Sequence, residues 1–580
     1  MKKGFLKVIA CVLACGLVCG IAAGCGPGGG VTVDNTRTQL YVGNYDGGLG
    51  SIWLEEFTRY FENKYADVSF EEGRVGVQIV PTSDRTFGGN TLQTTIANKQ
   101  ADVIFGEDIV YYNYTNGLTM DITDLVDGTW TWTVEDRDGN PVTLGSTYDD
   151  STDTTIYAKM NESERAYYDA DGRFYGVPYY YGNVTITYNE DIFGSAGAFF
   201  KEGKSAADFS ESAQNWDEIF GQKADGLSAG PDGQPETSDD GLPATYDDFF
   251  LLCRFLKDEG SVNGKKIMPL VICGTYNGYL LDFLETMLAD AEGAEQFNLN
   301  LTGEGEAKTL GTVDGSGNFV PDAEKTLIGA AYNNRNQLQR QKGRYDVLRF
   351  AYEFAHSNSF EESSMSSSGY TNIVAQNLFI NGNSNYAYAM LLDGNWWESE
   401  ATSTFNRLGE NAKQNFNFKS MPIPKASQED VKADQGARTY VSTNYNSVLI
   451  NNNIADNEIR KNLAKLFVYE FHTNEQLSQF NSITGLVRPY EYEIDKESSY
   501  WQNMSPYAQS MYKLYVEDPN VTLLFGQTKL SIADSSYEID NWTFYSKVDD
   551  DTYANPIRSF YQNSSLTAAD YFKGLLTAHS

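Results

Sequence analysis

Asp393, Trp396 and Trp397 form the densest aromatic and acidic cluster in the chain, around a Gly394–Asn395 turn. A flat aromatic face beside a carboxylate suits a ligand with an apolar face and hydrogen-bonding edges, and it suits carboxylate-based hydrolysis as well. Related pairs recur where strands end. Tyr45 and Asp46 follow a short strand over Gln39–Val42, and Glu107 and Asp108 follow one over Ala101–Phe105. Ligands of open α/β sheets bind beyond the carboxyl ends of the strands, which makes these residues candidates for one cleft. Tyr181 and Asn183, in the run Tyr179–Asn183, and Tyr276, after a strand over Met268–Ile272, complete the candidate set. Side chains alternate along an extended run, so Tyr179 and Tyr181 share one face and Tyr180 takes the other. Histidine chemistry is nearly absent, with three His in 580 residues. That argues against a Ser-His-Asp hydrolase and against a His-rich zinc site.

The elements that must position these residues read as α/β. An amphipathic helix over Ser51–Lys64, a β-branched strand over Val75–Val80 stopped by Pro81, and a helix over Thr91–Ala97 separate the first and third strands. Thr129–Asp169 is polar and reads as a hairpin-bearing insertion. A second α/β run follows, with strand Val184–Tyr188, helix Tyr246–Asp258, strand Met268–Ile272, helix Tyr279–Leu288 and a mostly helical stretch over Ala323–Phe354. The loop Asp225–Gly241 carries Asp232, Glu236, Asp239 and Asp240, hard oxygen donors that can hold Ca²⁺ or can simply be solvated.

Composition bounds the class. Hydrophobic residues are 41% and charged residues 21%, as in a soluble globular protein with several cores. A net charge of −36 argues against nucleic acid and anionic lipid as general partners. The first residues carry Lys2, Lys3 and Lys7 and then run without a charge from Val8 to Cys25, the pattern of a secretory signal. Ala22-Ala23-Gly24-Cys25 resembles a bacterial lipobox with Cys25 as the lipidated residue; an uncleaved signal anchor is the alternative. Either places the body outside the cytoplasm. Cys253 and Cys273 stand in apolar settings and read as two buried thiols or as one disulfide.

Several segments carry a resemblance through their common order: Ala101–Phe105 with Asn116-Gly117-Leu118; Asp171–Pro178 with Ile186–Asp191; Pro243–Phe249; Phe379–Gly382 with Tyr388-Ala389-Met390 and Gly394-Asn395-Trp396; and Ala464–Phe480 with Gly485–Pro489. Over about residues 39–490 the chain resembles the extracellular solute-binding lipoproteins of bacterial ABC transporters, in their carbohydrate-associated, maltose-binding-like class. The resemblance implies a two-lobed periplasmic-binding-protein-like α/β fold, each lobe a mainly parallel sheet flanked by helices, with a ligand cleft at a hinge. It divides the chain into a signal peptide (1–24), a lipidated Cys and tether (25–36), a first lobe (37–182 and 441–490) and a second lobe (183–440 and 491–580). It also implies a non-enzymatic, monomeric receptor that captures a sugar or oligosaccharide by hinge closure and hands it to a membrane permease, with no cofactor other than a possible Ca²⁺ in the acidic loop. By the same resemblance Trp396 stacks on the sugar, Asp108 or Glu107 is the sugar-binding carboxylate, and Tyr276 is an aromatic platform. The chain exceeds the smaller members of that class through Thr129–Asp169, Gly194–Gly241, Leu299–Thr326 and the tail beyond Glu491. Other readings are a peptide receptor, a surface glycoside hydrolase and an adhesion scaffold.

Overall fold

Short β-branched and aromatic runs make the strands, and amphipathic stretches between them make the helices that cover the sheets. In the computed structural model, residues 32–98, 101–107, 110–145, 154–329, 334–365, 369–409, 411–526 and 544–578 are described. The elements that matter for the site are, in chain order, β1 (Thr38–Asn44), α1 (Ile52–Lys64), β2 (Val77–Ser83), β3 (Val103–Glu107), α2 (Glu162–Tyr168), β4 (Val184–Asn189), α3 (Tyr246–Asp258) and β5 (Lys265–Ile272). They continue with α4 (Asn277–Thr302), α5 (Lys342–His356), α6 (Asn372–Asn381), β6 (Tyr386–Gly394), β7 (Phe418–Met421), β8 (Arg438–Ser442) and β9 (Asn446–Ile450). The last are α7 (Glu458–Phe471), α8 (Asn474–Thr484), β10 (Val521–Phe525) and α9 (Ala568–Ala578).

The first sheet has the order β9–β3–β1–β2, with β1 parallel to both of its neighbours and β9 antiparallel to β3. One face is covered by α1, which buries Trp53, Leu54, Phe57 and Phe61 at helical spacing. Phe57 meets Phe467 and Phe471 of α7 at ring-centroid distances of 4.7 and 5.1 Å. The second sheet has the order Ser261–Val262, β5, β6, β4, β7. Here only the β5–β6 pairing is parallel, so the mainly parallel reading applies to the first lobe and the second sheet is mixed. The physical reason is that β4 runs opposite to both β6 and β7, which places an antiparallel pair on each side of it. Fully buried Leu252 and Leu256 from α3 and Leu348 and Phe354 from α5 pack in this second core.

Two local expectations are corrected. Pro81 does not stop β2, which runs on to Ser83. β2 is the sheet's edge strand, where a residue without an N–H costs no ladder bond on the open side. Ala323–Phe354 is helical only from Lys342: before it come the strand Thr326–Ile328, paired with Gly305–Ala307, and a 3₁₀ stretch over Arg335–Arg340. The predicted insertion does hold a hairpin, Thr131–Asp136 with Pro141–Gly145. Cys253 and Cys273 are buried free thiols.

The chain passes between the lobes at a seam where the crossings hold one another. Val177 bridges to Val448, and the Asn446 amide oxygen accepts from the backbone N–H groups of Tyr179 (2.9 Å) and Tyr180 (3.1 Å). Tyr181 N–H donates to the carbonyl of Val487. β8 leads directly through 443–445 into β9, and β10 pairs with it in parallel from Arg438–Val521 to Ser442–Phe525.

Candidate ligand site between the lobes

Glu107 stands at the carboxyl end of β3 and Tyr45 just beyond that of β1. Both therefore reach the rim of the first sheet that faces the second lobe. The grip of Asn446 on Tyr179 and Tyr180 fixes the phase of the tyrosine run. Tyr179 turns into the first core beside Phe105, with ring centroids 5.4 Å apart. Tyr180 turns the other way, and its hydroxyl donates to Glu107 Oε1 at 2.6 Å while accepting from Asn444 Nδ2. Tyr181 descends into the second core and is fully buried, its hydroxyl directed at the Leu524 carbonyl.

On the second lobe β6 ends at Asp393 and Gly394, and a single helical turn over Trp397–Glu400 follows. Trp396 and Glu400 are four residues apart across this turn and share a face. Trp397, a helical step away, points inward. It packs on Phe379, Phe418 and Tyr507, with centroids 5.3 to 5.4 Å away. Trp396 remains half-buried beside Tyr279 of α4, which in turn lies 6.3 Å from the half-exposed Tyr276. Gln376 of α6 divides its amide between Asp393 Oδ2 (3.0 Å) and Glu400 Oε2 (2.7 Å).

These walls meet. Glu107 from one lobe and Trp396 from the other line a common cavity of about 190 Å³ with Asp282, Thr443, Asn444 and Tyr445. The loop after β1 lies against the indole so closely that a Cβ on Gly48 would stand 2.7 Å from Trp396 Cδ1 and 3.2 Å from Glu400 Oε1. Burial pushes the Glu107 carboxyl up to about 7; the Tyr180 hydrogen bond opposes the rise and the charge of Glu400 adds to it. Asp393 is held well above the usual carboxylate range by burial first and Glu400 second, against the bonds from Gln376 and the Gly394 N–H. Tyr45 is raised by burial and by Glu107.

Of the residues singled out from the sequence, Tyr45, Glu107, Asp393 and Trp396 gather here, with Tyr276 at the outer end and Asp46 exposed beside Tyr45. Tyr181, Asn183 and Trp397 do not. Asn183 is fully buried and its amide donates to the Tyr515 hydroxyl at 3.1 Å, so it ties the seam together rather than facing a ligand. Asp108 and Cys25 lie outside the described residues. In the acidic loop Asp239 is buried against Arg438 at 2.6 Å, Asp232 accepts from the Gln234 N–H and Asp240 from the Glu236 N–H. Those carboxylates are engaged in holding the loop, and among the described residues no three acidic, His or Cys side chains gather as a metal site.

Sequence reasoning missed Tyr180, Gln376, Glu400, Tyr279 and Asn444. A signal existed for two of them: Glu400 lies one turn after Trp396, and Tyr279 lies three residues after Tyr276. Larger grooves of about 700 and 920 Å³ lie elsewhere, one between α3 and α5 and one beside α2 and β10. The second of these also spans the lobes, with Glu162 and Tyr167 on one side and Glu295 and Tyr515 on the other, but neither is lined by residues at the carboxyl ends of β1, β3 or β6.

No protein-family model matches the sequence, and the comparison with curated proteins found no match. Solved structures are. The chain superposes on "SBP RafE in complex with raffinose" with a TM-score of 0.50 and 14% identity, covering 93% of this chain and 98% of that one. It superposes equally on a chitin oligosaccharide binding protein, with a TM-score of 0.50 and 13% identity over 93% and 98% of the two chains. The fold is that of a two-lobed solute-binding protein. At this identity the likeness is one of fold. Among the described residues, no helix is long and apolar enough to cross a membrane.

Proposed function

We propose that the protein is an extracellular receptor that captures a sugar or oligosaccharide between its lobes and delivers it to the membrane permease of an ABC importer. The observation that carries this is the shared cavity: an indole face from the second lobe and a carboxylate from the first, each at the end of its sheet, meet around a space fit for one ring-sized group. A pyranose offers an apolar C–H face to Trp396 and hydroxyl pairs to Glu107, Asn444 and Thr443, the few placed polar groups a specific pocket needs. Tyr279 and Tyr276 continue the aromatic surface outward and would carry a second ring. Because the polar and apolar contacts come from different lobes, a ligand gains most when the lobes are together, and that difference in affinity drives closure. The permease and the lipid anchor at Cys25 belong to the same proposal, supported by the order of motifs and by the N-terminal pattern.

The test is a thermal-shift series on residues 32–580 with mono-, di- and oligosaccharides and short peptides. A ligand at about a hundred times its Kd adds roughly 2.7 kcal/mol to stability, a readable rise in Tm. A shift from an intact sugar, recovered unchanged after incubation, is the expected result. A shift from peptides alone, or a sugar converted to product, overturns the reading.

A further inference from the structure

Pockets that enclose a whole small ligand run to roughly 300–1,000 Å³. The cavity between the lobes, at about 190 Å³, encloses only one part of a larger molecule. The surroundings of the Trp396 indole show where the rest can go. The ring lies against its own strand end at Gly394, which leaves no room for a side chain. Its pyrrole edge meets the first lobe at Gly48, where a Cβ would stand 2.7 Å from Cδ1 and 3.1 Å from Nε1. Its other edge runs to the first crossing, where a Cβ on Gly182 would be 3.4 Å from Cζ3 and 2.9 Å from the Asn444 Cβ. Glycine at these three places lets main chain close directly on the ring.

The wall at Gly48 is held from behind. The Gly50 N–H donates to the Gly47 carbonyl at 3.2 Å, which closes the turn, and the buried Trp53 indole donates to the Gly50 carbonyl at 3.1 Å. The Tyr45 ring is wedged between this turn and Gly88, where a Cβ would stand 2.6 Å from it. Away from that wall an aromatic surface runs outward. Tyr279 lies 6.1 Å from Trp396, and Tyr276 lies 6.3 Å farther on, half-exposed. The loop that presents Tyr276 is fastened too: the Thr275 N–H donates to the Tyr370 carbonyl at 3.2 Å and its hydroxyl to the Gly369 carbonyl at 2.7 Å. The site therefore has a walled end at Gly48 and an aromatic path leading out of it at Tyr276.

Resting on the sugar-capture reading, we propose that the receptor takes a linear oligosaccharide by one chain end. The terminal ring fills the cavity against Trp396, and the following units leave over Tyr279 and Tyr276. A terminal unit differs from an interior one by carrying a free hydroxyl where the next unit would be attached. A wall with no room beyond that hydroxyl reads the end directly, because a close-packed interior does not yield to an added ring. Units beyond Tyr276 meet no such wall, so chain length past that point is not discriminated. A cyclic sugar has no end to offer and is shut out.

The experiment is calorimetry on residues 32–580 with linear oligomers of glucose, galactose, mannose and N-acetylglucosamine, one to six units long, in α and β linkage. The tetramer of the series that binds is then compared with two blocked forms. One carries 2-aminobenzamide on the reducing end, and the other a benzyl ether on the non-reducing end, at the hydroxyl where a further unit would be linked. The expected result is that one blocked form binds at least thirtyfold more weakly than the parent while the other stays within threefold. Affinities of the tetramer, pentamer and hexamer should agree within threefold, and a cyclic hexamer of the same units should bind at least thirtyfold more weakly than the linear one. Tyr276→Ala should weaken the tetramer at least fivefold with unchanged circular dichroism. Tolerance of both blocked forms, refusal of both, equal binding of the cyclic hexamer, or an unchanged tetramer affinity in Tyr276→Ala overturns the inference and leaves sugar capture standing. Absence of binding across the whole panel overturns both.

Discussion

Trp396 and Trp397 are adjacent, identical in chemistry and opposite in environment. Trp396 is half-buried on the cavity, whereas Trp397 is fully buried among Phe379, Phe418 and Tyr507. Trp396→Ala should remove ligand-induced stabilisation while changing the unfolding free energy of the free protein by less than about 1 kcal/mol. Trp397→Ala should cost about 3–5 kcal/mol whether or not ligand is present. Urea titrations with and without sugar separate the two. A second residue-scale prediction concerns Glu164 on α2, buried with only the Ser163 hydroxyl as a side-chain donor, at 2.7 Å. Burial lifts its carboxyl from 4.5 to about 7. The folded state therefore holds this proton more tightly than the unfolded chain. The stability it contributes is complete below about pH 4.5 and is lost as pH rises through about 7. Glu164→Gln should flatten that part of the stability profile and raise stability at pH 8 by something on the order of 1–3 kcal/mol, measured by denaturant titration from pH 4 to 8.

At the scale of elements, the site depends on how tightly the turn after β6 is drawn. A Cβ on Gly394 would stand 2.2 Å from the Trp396 indole, so Gly394→Ala must displace the ring. The predicted outcome is a loss of sugar affinity of tenfold or more with the carboxylates untouched, read by calorimetry. Helix α3 offers a control remote from the cleft: Thr245 caps it, accepting from the Asp248 N–H while Asp248 accepts from Thr245. Thr245→Ala should cost about 1 kcal/mol of stability without changing affinity. Such local elements were legible in the sequence where periodicity was strong, as in α3, which spans the predicted residues. They were not legible where edge position or pairing decided, as with Pro81 in β2 and the strand Thr326–Ile328. The site divides along the same line. Alternation separated Tyr180 from Tyr179 and Tyr181, but only Asn446, 266 residues away, decides which face fronts the cleft. Glu400 left only its four-residue spacing from Trp396 as a signal, because its one-turn helix is too short for a repeating pattern.

For the molecule as a whole, the predicted pivot of lobe closure is the parallel pair β8–β10, which lies where the chain leaves the second lobe for the first. β10 is fastened on its far side as well: the Phe525 N–H donates to Ser163 Oγ at 3.1 Å, and Tyr167 packs on the Phe525 ring at 4.7 Å. The tail thus binds a strand that leaves the second lobe to a helix of the first. Sugar binding should lower the radius of gyration in small-angle scattering. Backbone amides of β8 and β10 should exchange slowly in both states, and protection should increase in the Gly47–Gly50 loop. Equal gains in protection at β8 and in that loop would place the pivot elsewhere.

The pairing of β3 with β9 joins residues 103–107 to 446–450, and the second core, begun at β4, is completed by Tyr571 and Leu575 of α9. Each lobe is therefore assembled from stretches of chain made far apart in time. As the protein emerges, the first lobe waits for β9, α7 and α8, with most of the second lobe already exposed beside it. The second lobe then waits for the final helix. Contacts this distant in sequence make folding slow. Neither lobe can be produced by cutting the gene at one point, and a ribosome halted before α9 leaves a partner-seeking apolar core in the open.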